Sequence, residues 1–370
     1  MLGSILIFIF VLSLLVLVHE FGHFIVARLS GVWVEEFGFG LPPRIWGKKI
    51  GETVYSVNLL PFGGFVRLHG ETGSDEIKNP KAAFLEKPKK VRVAIVIAGV
   101  VMNFILALVA FSLVYSTQGI PRETENVHVL DVAPGTPAQG AGLMPEDIFK
   151  LVDNERITSV DQFINVIEEN KGKRIKFEME RVENGETKDI TTFLTPRESP
   201  PEGEGPLGVV ISQTEIYYPP LWQRPIYGVY FGAKESYFWG KTVIVGLVNI
   251  VNQLLSGQTP EDLTGPVGVY VVTAEAAKVG VVALINFIGI LSVNLAIFNI
   301  IPFPALDGGR LLFIGLEGIL GRKILPRVEA VVHSVGLIIL LLLIAAITAR
   351  DISRLITSGG VTGFVNSILK

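Results

Sequence analysis

The chain alternates between long apolar runs and ordinary mixed stretches, and the lengths of the runs set the first expectations. Four segments approach the roughly 20 mostly apolar residues that a helix needs to cross a bilayer: about Leu2 to Ala27, Val93 to Val114, Val281 to Ile301 and Ala330 to Ala346. They predict four transmembrane helices. The first is read as a retained span rather than a secretory signal, because the earliest Lys or Arg is Arg28, behind the apolar run instead of ahead of it.

Between the second and third spans the pattern changes to short strands and turns. VHVLDVAPGTPAQGAGLMPEDIFKLVDNERI predicts a strand, a Pro/Gly-rich connection and a second strand. Val160, Phe163, Ile164 and Ile167 fall at helical spacing behind Ser159, which suits an N-cap, so a helix is expected to run to about Asn170. RIKFEMERVENGETKDITTFL alternates around Asn184-Gly185, a pair that tolerates the positive φ of a tight turn and so predicts a hairpin. RESPPEGEGP then reads as a linker. Trp222, Tyr227, Tyr230, Phe231, Tyr237, Phe238 and Trp239 precede an apolar helical stretch, and that aromatic density suits a membrane interface; a soluble helix packed on the preceding domain is the alternative.

These boundaries divide the chain into a first membrane half over 1–118, a small α+β domain over 119–197, a linker and interfacial amphipathic helix over 198–280, and a second membrane half over 281–370. Composition agrees: 49% of residues are hydrophobic, 18% are charged, and the mean hydropathy is +0.50, values that call for lipid as part of the solvent. A net charge of -3 gives no reason to expect nucleic acid. With no cysteine, any metal must be held by His, Asp or Glu. Arg44, Lys48, Lys49, Arg67, Lys87, Lys89, Lys90 and Arg92 follow span 1, and Arg310, Arg322, Lys323 and Arg327 follow span 3. The positive-inside rule makes those connections cytoplasmic and puts the inserted domain on the far side.

Span 1 breaks its own pattern. After eighteen residues without an ionisable side chain come His19, Glu20 and His23, an HExxH motif. Residues four apart on a helix project from one face, so both imidazoles can share a metal, while Glu20 stands beside them to take a proton from the attacking water. An ionisable side chain deep in a bilayer costs roughly 2.5 to 3.5 kcal/mol on insertion scales, so three together need pairing, a metal or water. Two imidazoles leave a catalytic zinc one protein ligand short. The membrane carboxylate that fits is Asp307, in SVNLAIFNIIPFPALDGGR, where Pro302 and Pro304 disturb the helix and Gly308-Gly309 permits a sharp turn.

HEFGH together with Asn299, Pro302, Pro304, Leu306, Asp307, Gly308 and Gly309 resembles the site-2 proteases, intramembrane zinc metalloproteases, and among them the bacterial RseP-like type with an extracytoplasmic PDZ insertion. PGTPAQGAGLMPEDIFKLVDNERI is similar to a circularly permuted bacterial PDZ domain, LPFGGFVRLHGE (Leu60 to Glu71) to the family's membrane-associated β-hairpin region, placed here at about 50–71, and LTGPVGV (Leu263 to Val269) to its segment before span 3. One PDZ-like domain is expected where some members have two. The fold class implied is a membrane α-helical protein of four transmembrane helices with a β-hairpin region, plus an inserted α+β PDZ-like domain.

The resemblance implies one zinc ion per chain on His19, His23 and Asp307, with Glu20 as general base. It implies Asn294 and Asn299 as groups that hold the substrate backbone or stabilise an oxyanion, with interhelical hydrogen bonding as the alternative. Phe62, Gly63, Gly64, Phe65 and Val66 would pair with an unwound substrate as an added strand. Substrates would be single-span membrane proteins in a bacterial cytoplasmic membrane, such as anti-sigma factors already cut by a site-1-type protease, or signal-peptide remnants. The PDZ-like domain would take peptides or C-termini, or filter substrates by size. Two rivals stand beside this: a catalytically silent PDZ-bearing scaffold, which has no need of Glu20, and a zinc transporter or sensor, for which span 2 offers essentially Asn103 alone. His69 reads as a surface residue, His128 as a strand residue, and His333 as a span-4 residue hydrogen-bonded to a neighbouring helix.

Overall fold

The computed structural model describes residues 2–71, 77–183, 186–201, 203–258, 263–361 and 363–364. The chain divides into two compact units, Met1–Thr117 with Leu221–Lys370, and Gln118–Pro220.

The first unit opens with α1 (Leu2–Leu29), apolar on every side, so that Leu2, Leu6 and Phe10 stay exposed as a lipid-facing helix requires. Two long strands follow, β1 (Val34–Ile50) and β2 (Thr53–Leu68). They fold back on each other: Phe37 is in register with both Val66 and Tyr55, and Lys48 with Tyr55. Residues 36–39 therefore lie inside the ladder, and the end of β2, Gly64 to Leu68, has strand partners on one side only among the described residues. The hairpin region thus begins at Val34 rather than about 50. Gly38, Gly40 and Pro42-Pro43 concealed the first strand, because such residues read as turn. Buried Glu36 anchors the layer, accepting from Ser56 Oγ at 2.7 Å and Arg44 Nε at 3.1 Å. Burial alone would raise its pKa, but those hydrogen bonds and the charges of Arg44 and Arg67 outweigh it and hold the carboxyl below the usual range. α2 (Lys89–Gln118) then returns along the bundle.

The second unit is a sheet of β3 (Ile120–Val132), β4 (Ile148–Val152), β5 (Glu155–Arg156), β6 (Ile175–Glu183), β7 (Glu186–Leu194) and β8 (Val209–Tyr217), in the order β7-β6-β4-β3-β8 with β5 on β4. Two helices accompany it, α3 (Pro137–Gly140) and α4 (Val160–Glu169). Ser159 Oγ accepts from Gln162 N as expected of the cap, and Phe163, Val166 and Ile167 bury against Phe149 and Phe177. β6 and β7 pair from Ile175↔Leu194 to Glu183↔Glu186, while the Asn184-Gly185 turn lies outside the described residues. The unit reaches Pro220, past the expected boundary at 197, because β8 pairs with β3 from Ile120↔Tyr217 to Val132↔Val209. β8 was hidden behind the Pro/Gly-rich stretch, which links β7 to β8 within one sheet instead of joining two domains.

The first unit resumes with α5 (Arg224–Leu255), α6 (Pro266–Val279), α7 (Val281–Ile300), α8 (Asp307–Leu320) and α9 (Pro326–Thr357). Five described helices, α1, α2, α5, α7 and α9, are long and apolar enough to cross a membrane. The addition to the four expected spans is α5, where an interfacial helix was anticipated; its 32 residues pack Trp239 and Val243 against Phe111, Val293 and Ile297. The LTGPVGV stretch has a packing reason: Asp351 of α9 accepts from Gly265 N at 3.0 Å and Gly268 N at 2.9 Å, satisfying the first donors of α6. A Cβ at Gly265 would lie 2.7 Å from Ile347 Cγ2, so no larger residue fits this approach.

Candidate metal centre

His19 is buried and His23 half-buried on one face of α1, with ring centroids 4.8 Å apart and Nε2 atoms 3.2 Å apart. Asp307 opens α8. The chain reaches it through a tight turn in which Leu306 N bonds to Phe303 O and Gly309 N to Leu306 O. Ala305 adopts φ 82° there, a left-handed conformation uncommon for a residue with a Cβ. Two residues of α9 hold the turn: His333 Nδ1 accepts from Ala305 N at 3.1 Å, and Gly336 abuts Pro304 so closely that a Cβ would sit 2.4 Å from its side chain. His333, read from sequence only as an interhelical hydrogen-bonder, thus has a specific partner in the turn that aims Asp307.

Asp307 Oδ2 lies 3.0 Å from His19 Nε2 and 3.2 Å from His23 Nε2. Two ligand atoms at about 2.0–2.1 Å from one zinc at the tetrahedral angle are about 3.4 Å apart, so this triangle is close to metal spacing. Its chemistry also fits. His23 Nδ1 meets Ile95 O at 2.8 Å, which fixes the hydrogen on Nδ1 and leaves Nε2 as a lone pair. Asp307 Oδ2 is buried with no hydrogen-bond donor. A lone pair on His23 Nε2 and a carboxylate oxygen that no donor satisfies, both turned toward His19 Nε2, suit a cation. His19, His23 and Asp307 form the group among the described residues whose donor atoms all fall within 4.8 Å.

α2 supplies the support that sequence reasoning passed over. Ile95, Gly99 and Asn103 form a stripe four residues apart facing the two imidazoles. A Cβ at Gly99 would lie 2.5 Å from His23 Nε2 and 2.6 Å from His19 Cε1, so the rings occupy space that only glycine leaves open. The available signal was that spacing, with Asn103 the conspicuous polar residue of span 2.

A cavity of about 370 Å³ opens on the centre, lined by Glu20, His23, Asp307, Phe65, Val66 and Arg310 among others. Glu20, next to His19 on α1, is half-buried at its wall. The end of β2 reaches the same wall: positions at Gly63 and Gly64 come against Val16, Leu17 and Glu20 Cγ of α1, and Ser13 Oγ bonds to Pro61 O at 2.8 Å. The side chain of Phe62 lies outside the described residues. Arg310 forms an ion pair with Glu71, tying α8 to the end of the hairpin. Of the two asparagines on α7, Asn299 brings its Nδ2 to 3.5 Å from His19 Nε2. Asn294 is half-buried a turn and a half earlier, and is absent from the described cavity lining. His69 is buried rather than exposed, holding Glu35 and accepting from Asn79 N at the hairpin base; His128 sits half-buried on β3.

A helix-borne HExxH pair faces an aspartate among helices long and apolar enough to cross a membrane, and the three donor atoms could hold a metal ion. The chain belongs to peptidase family M50, the site-2 protease family, whose pattern matches residues 7–343. It is 36% identical to a Clostridium perfringens protein provisionally named a zinc metalloprotease, over 92% of this chain and 96% of that one. It is 30% identical to the zinc metalloprotease RasP of Geobacillus kaustophilus, over 95% and 98% of the two chains. It is 29% identical to the regulator of sigma-W protease RasP of Bacillus subtilis, over 95% and 99%.

Proposed function

We propose that the protein is an intramembrane zinc metalloprotease that cuts peptide bonds in or beside transmembrane segments of single-span membrane proteins. The observation that carries this is the convergence of His19 Nε2, His23 Nε2 and Asp307 Oδ2 within 3.0–3.2 Å of one another at the wall of the cavity that holds Glu20. His19, His23 and Asp307 would hold one zinc ion, which supplies Lewis acidity toward the scissile carbonyl and the attacking water. Glu20 accepts the water's proton and returns it to the leaving amine. The Asn299 amide, beside His19, would donate to the developing oxyanion or hold substrate backbone; for Asn294, farther back on α7, the same roles rest on the family resemblance alone.

A substrate helix has its carbonyls tied up in its own ladder, so it must unwind before attack. The open edge of Gly64 to Leu68, with Phe65 and Val66 on the cavity, gives the unwound segment a strand to pair with, and Phe62 and Gly63 continue that edge. Successive N–H groups alternate sides, so one of Phe65 and Val66 faces the open edge. Proline at that position is expected to lower cleavage at least about tenfold with zinc content unchanged; full cleavage by both Phe65→Pro and Val66→Pro would remove the pairing.

The packing of the helices supports the topology. α1 and α7 run parallel, with Val11 and Leu15 against Leu284 and Ile288, and His19 against Asn299. The chain therefore leaves α2 and enters α7 at the same end, so any crossing by α5 has to be undone before Val281. The basic residues Arg92, Lys89 and Lys323 gather with Glu317 and Glu86 at the end that bears the metal centre, which the positive-inside rule makes cytoplasmic. The reading is a bacterial cytoplasmic-membrane protein of four complete crossings, with residues 118–220 outside as a PDZ-like unit. That unit carries an apolar groove of about 200 Å³ between α4 and β8, lined by Phe163, Ile164, Ile167, Leu207, Val209 and Ile211, and Ile164 is 47% exposed there. It suits an extended peptide or C-terminus; Ile164→Asp in the full chain should weaken capture of such peptides, and unchanged capture would leave the unit as a size filter.

By likeness to the sigma-W protease of Bacillus subtilis, substrates would include regulators of transcription factors, such as anti-sigma factors first trimmed by a site-1-type protease. The deciding experiment is cleavage of a transmembrane peptide by the purified full chain in detergent. A chelator is expected to stop cleavage and added zinc to restore it. Undiminished cleavage in chelator would refute the metalloprotease, and absence of cleavage with zinc bound would favour a silent scaffold or a zinc carrier.

A further inference from the structure

We propose that Asn103 is a positioning residue for His19, its side-chain oxygen accepting the hydrogen on His19 Nδ1. The proposal rests on the reading of His19 as a metal ligand and goes beyond it. Asn103 is fully buried in α2, its amide within 3.2 Å of His19 Nδ1. Its Oδ1 is buried without any hydrogen-bond partner. An imidazole that offers Nε2 as a lone pair keeps its one hydrogen on Nδ1, so the group facing Nδ1 has to be an acceptor.

With its amide nitrogen toward His19, Asn103 would press a donor on Nδ1 and drive the hydrogen to Nε2, which points at His23 Nε2 and Asp307 Oδ2. That tautomer cannot ligate through Nε2. Turning the amide about its last bond exchanges two groups of nearly equal size and gives the orphaned oxygen the N–H it lacks. Ile95 O plays the same part for His23 from two turns earlier on the same face. Ser292 Oγ donates to Asn103 O at 3.0 Å, so α7 fixes the backbone from which the amide reaches. Loss of such an outer partner of a ligating histidine typically lowers metal affinity about 10- to 100-fold.

The test is zinc affinity of the full-length protein in detergent, by competition with a chromogenic chelator, for Asn103→Leu, which keeps volume and removes the acceptor, and Asn103→Asp, which keeps an acceptor and removes the donor. Asn103→Leu is expected to bind zinc about 10- to 100-fold more weakly, and Asn103→Asp at or above the native affinity. The visible bands of the cobalt-loaded protein should shift in the leucine variant and stay in place in the aspartate variant, an effect that packing alone would not produce. Native affinity in Asn103→Leu, or equal losses in the two variants, would overturn the proposal. Melting of the metal-free proteins checks the fold; where the leucine variant does not fold, Asn103→Ala replaces it under the same expectations. His19→Ala serves as control: zinc binding that survives it would defeat the underlying ligand assignment, whereas its loss beside an unaffected Asn103→Leu would defeat the inference alone.

Discussion

Glu20→Gln is expected to lower cleavage of a transmembrane peptide by about 10²–10⁴-fold, the usual worth of a positioned general base, while zinc content stays near one per chain. The two halves of this result come from two positions on one helix. His19 and His23 share a face of α1 and turn their Nε2 atoms to Asp307, whereas Glu20 is rotated by about 100° from His19, with its carboxylate at the cavity wall instead of within the donor triangle. Glutamine keeps the size and leaves the triangle intact, but its amide cannot accept a proton from water. Metal analysis of the purified variant beside a cleavage assay separates base from ligand. Persistent cleavage would exclude Glu20 as the base, and lost zinc would place it among the ligands.

The parts of this centre that sequence made legible are those in which residue type and spacing already encode geometry. HEFGH on an apolar helix fixes two imidazoles on one face whatever surrounds them. Asp307 was legible because a carboxylate beside Pro302, Pro304 and Gly308-Gly309 sits where a membrane helix has to break. The Ser159-capped helix and the β6/β7 strands were likewise local patterns. What remained hidden depends on contacts between distant elements. Gly99 reads as an unremarkable small residue until the His19 and His23 rings occupy the space above it. The hold of His333 on Ala305 joins α9 to a turn 28 residues earlier. β1 and β8 were missed for a different reason: both lie beside Pro and Gly, whose local signal for turns outweighed pairing that only the partner strands reveal. α5 combined enough aromatic and polar residues to look interfacial, yet it packs along α2 and α7.

Asp307→Ala is expected to empty the centre, with zinc affinity falling by more than the about 10- to 100-fold that loss of an outer-shell partner costs, and cleavage falling with it. The substitution removes the carboxylate of the triangle and leaves two imidazoles 3.2 Å apart, short of the three protein ligands that catalytic zinc sites keep. The surrounding fold has other anchors. The turn before α8 is held by His333 at Ala305 and by Gly336 against Pro304, and α8 itself by the buried pair of Arg92 and Glu317 at 2.6 Å. A carboxylate in the first turn of α8 is worth about 0.3–1 kcal/mol against the helix dipole, so the variant should melt close to the native protein when both are metal-free. Asp307→Asn refines the result: the amide oxygen can reach the same point without the charge, so intermediate occupancy is expected. Zinc measured by elemental analysis decides the matter, since native metal content in Asp307→Ala would remove Asp307 from the ligand set and leave the third ligand to be sought among the other groups on the cavity wall, Glu20 and Glu71 first.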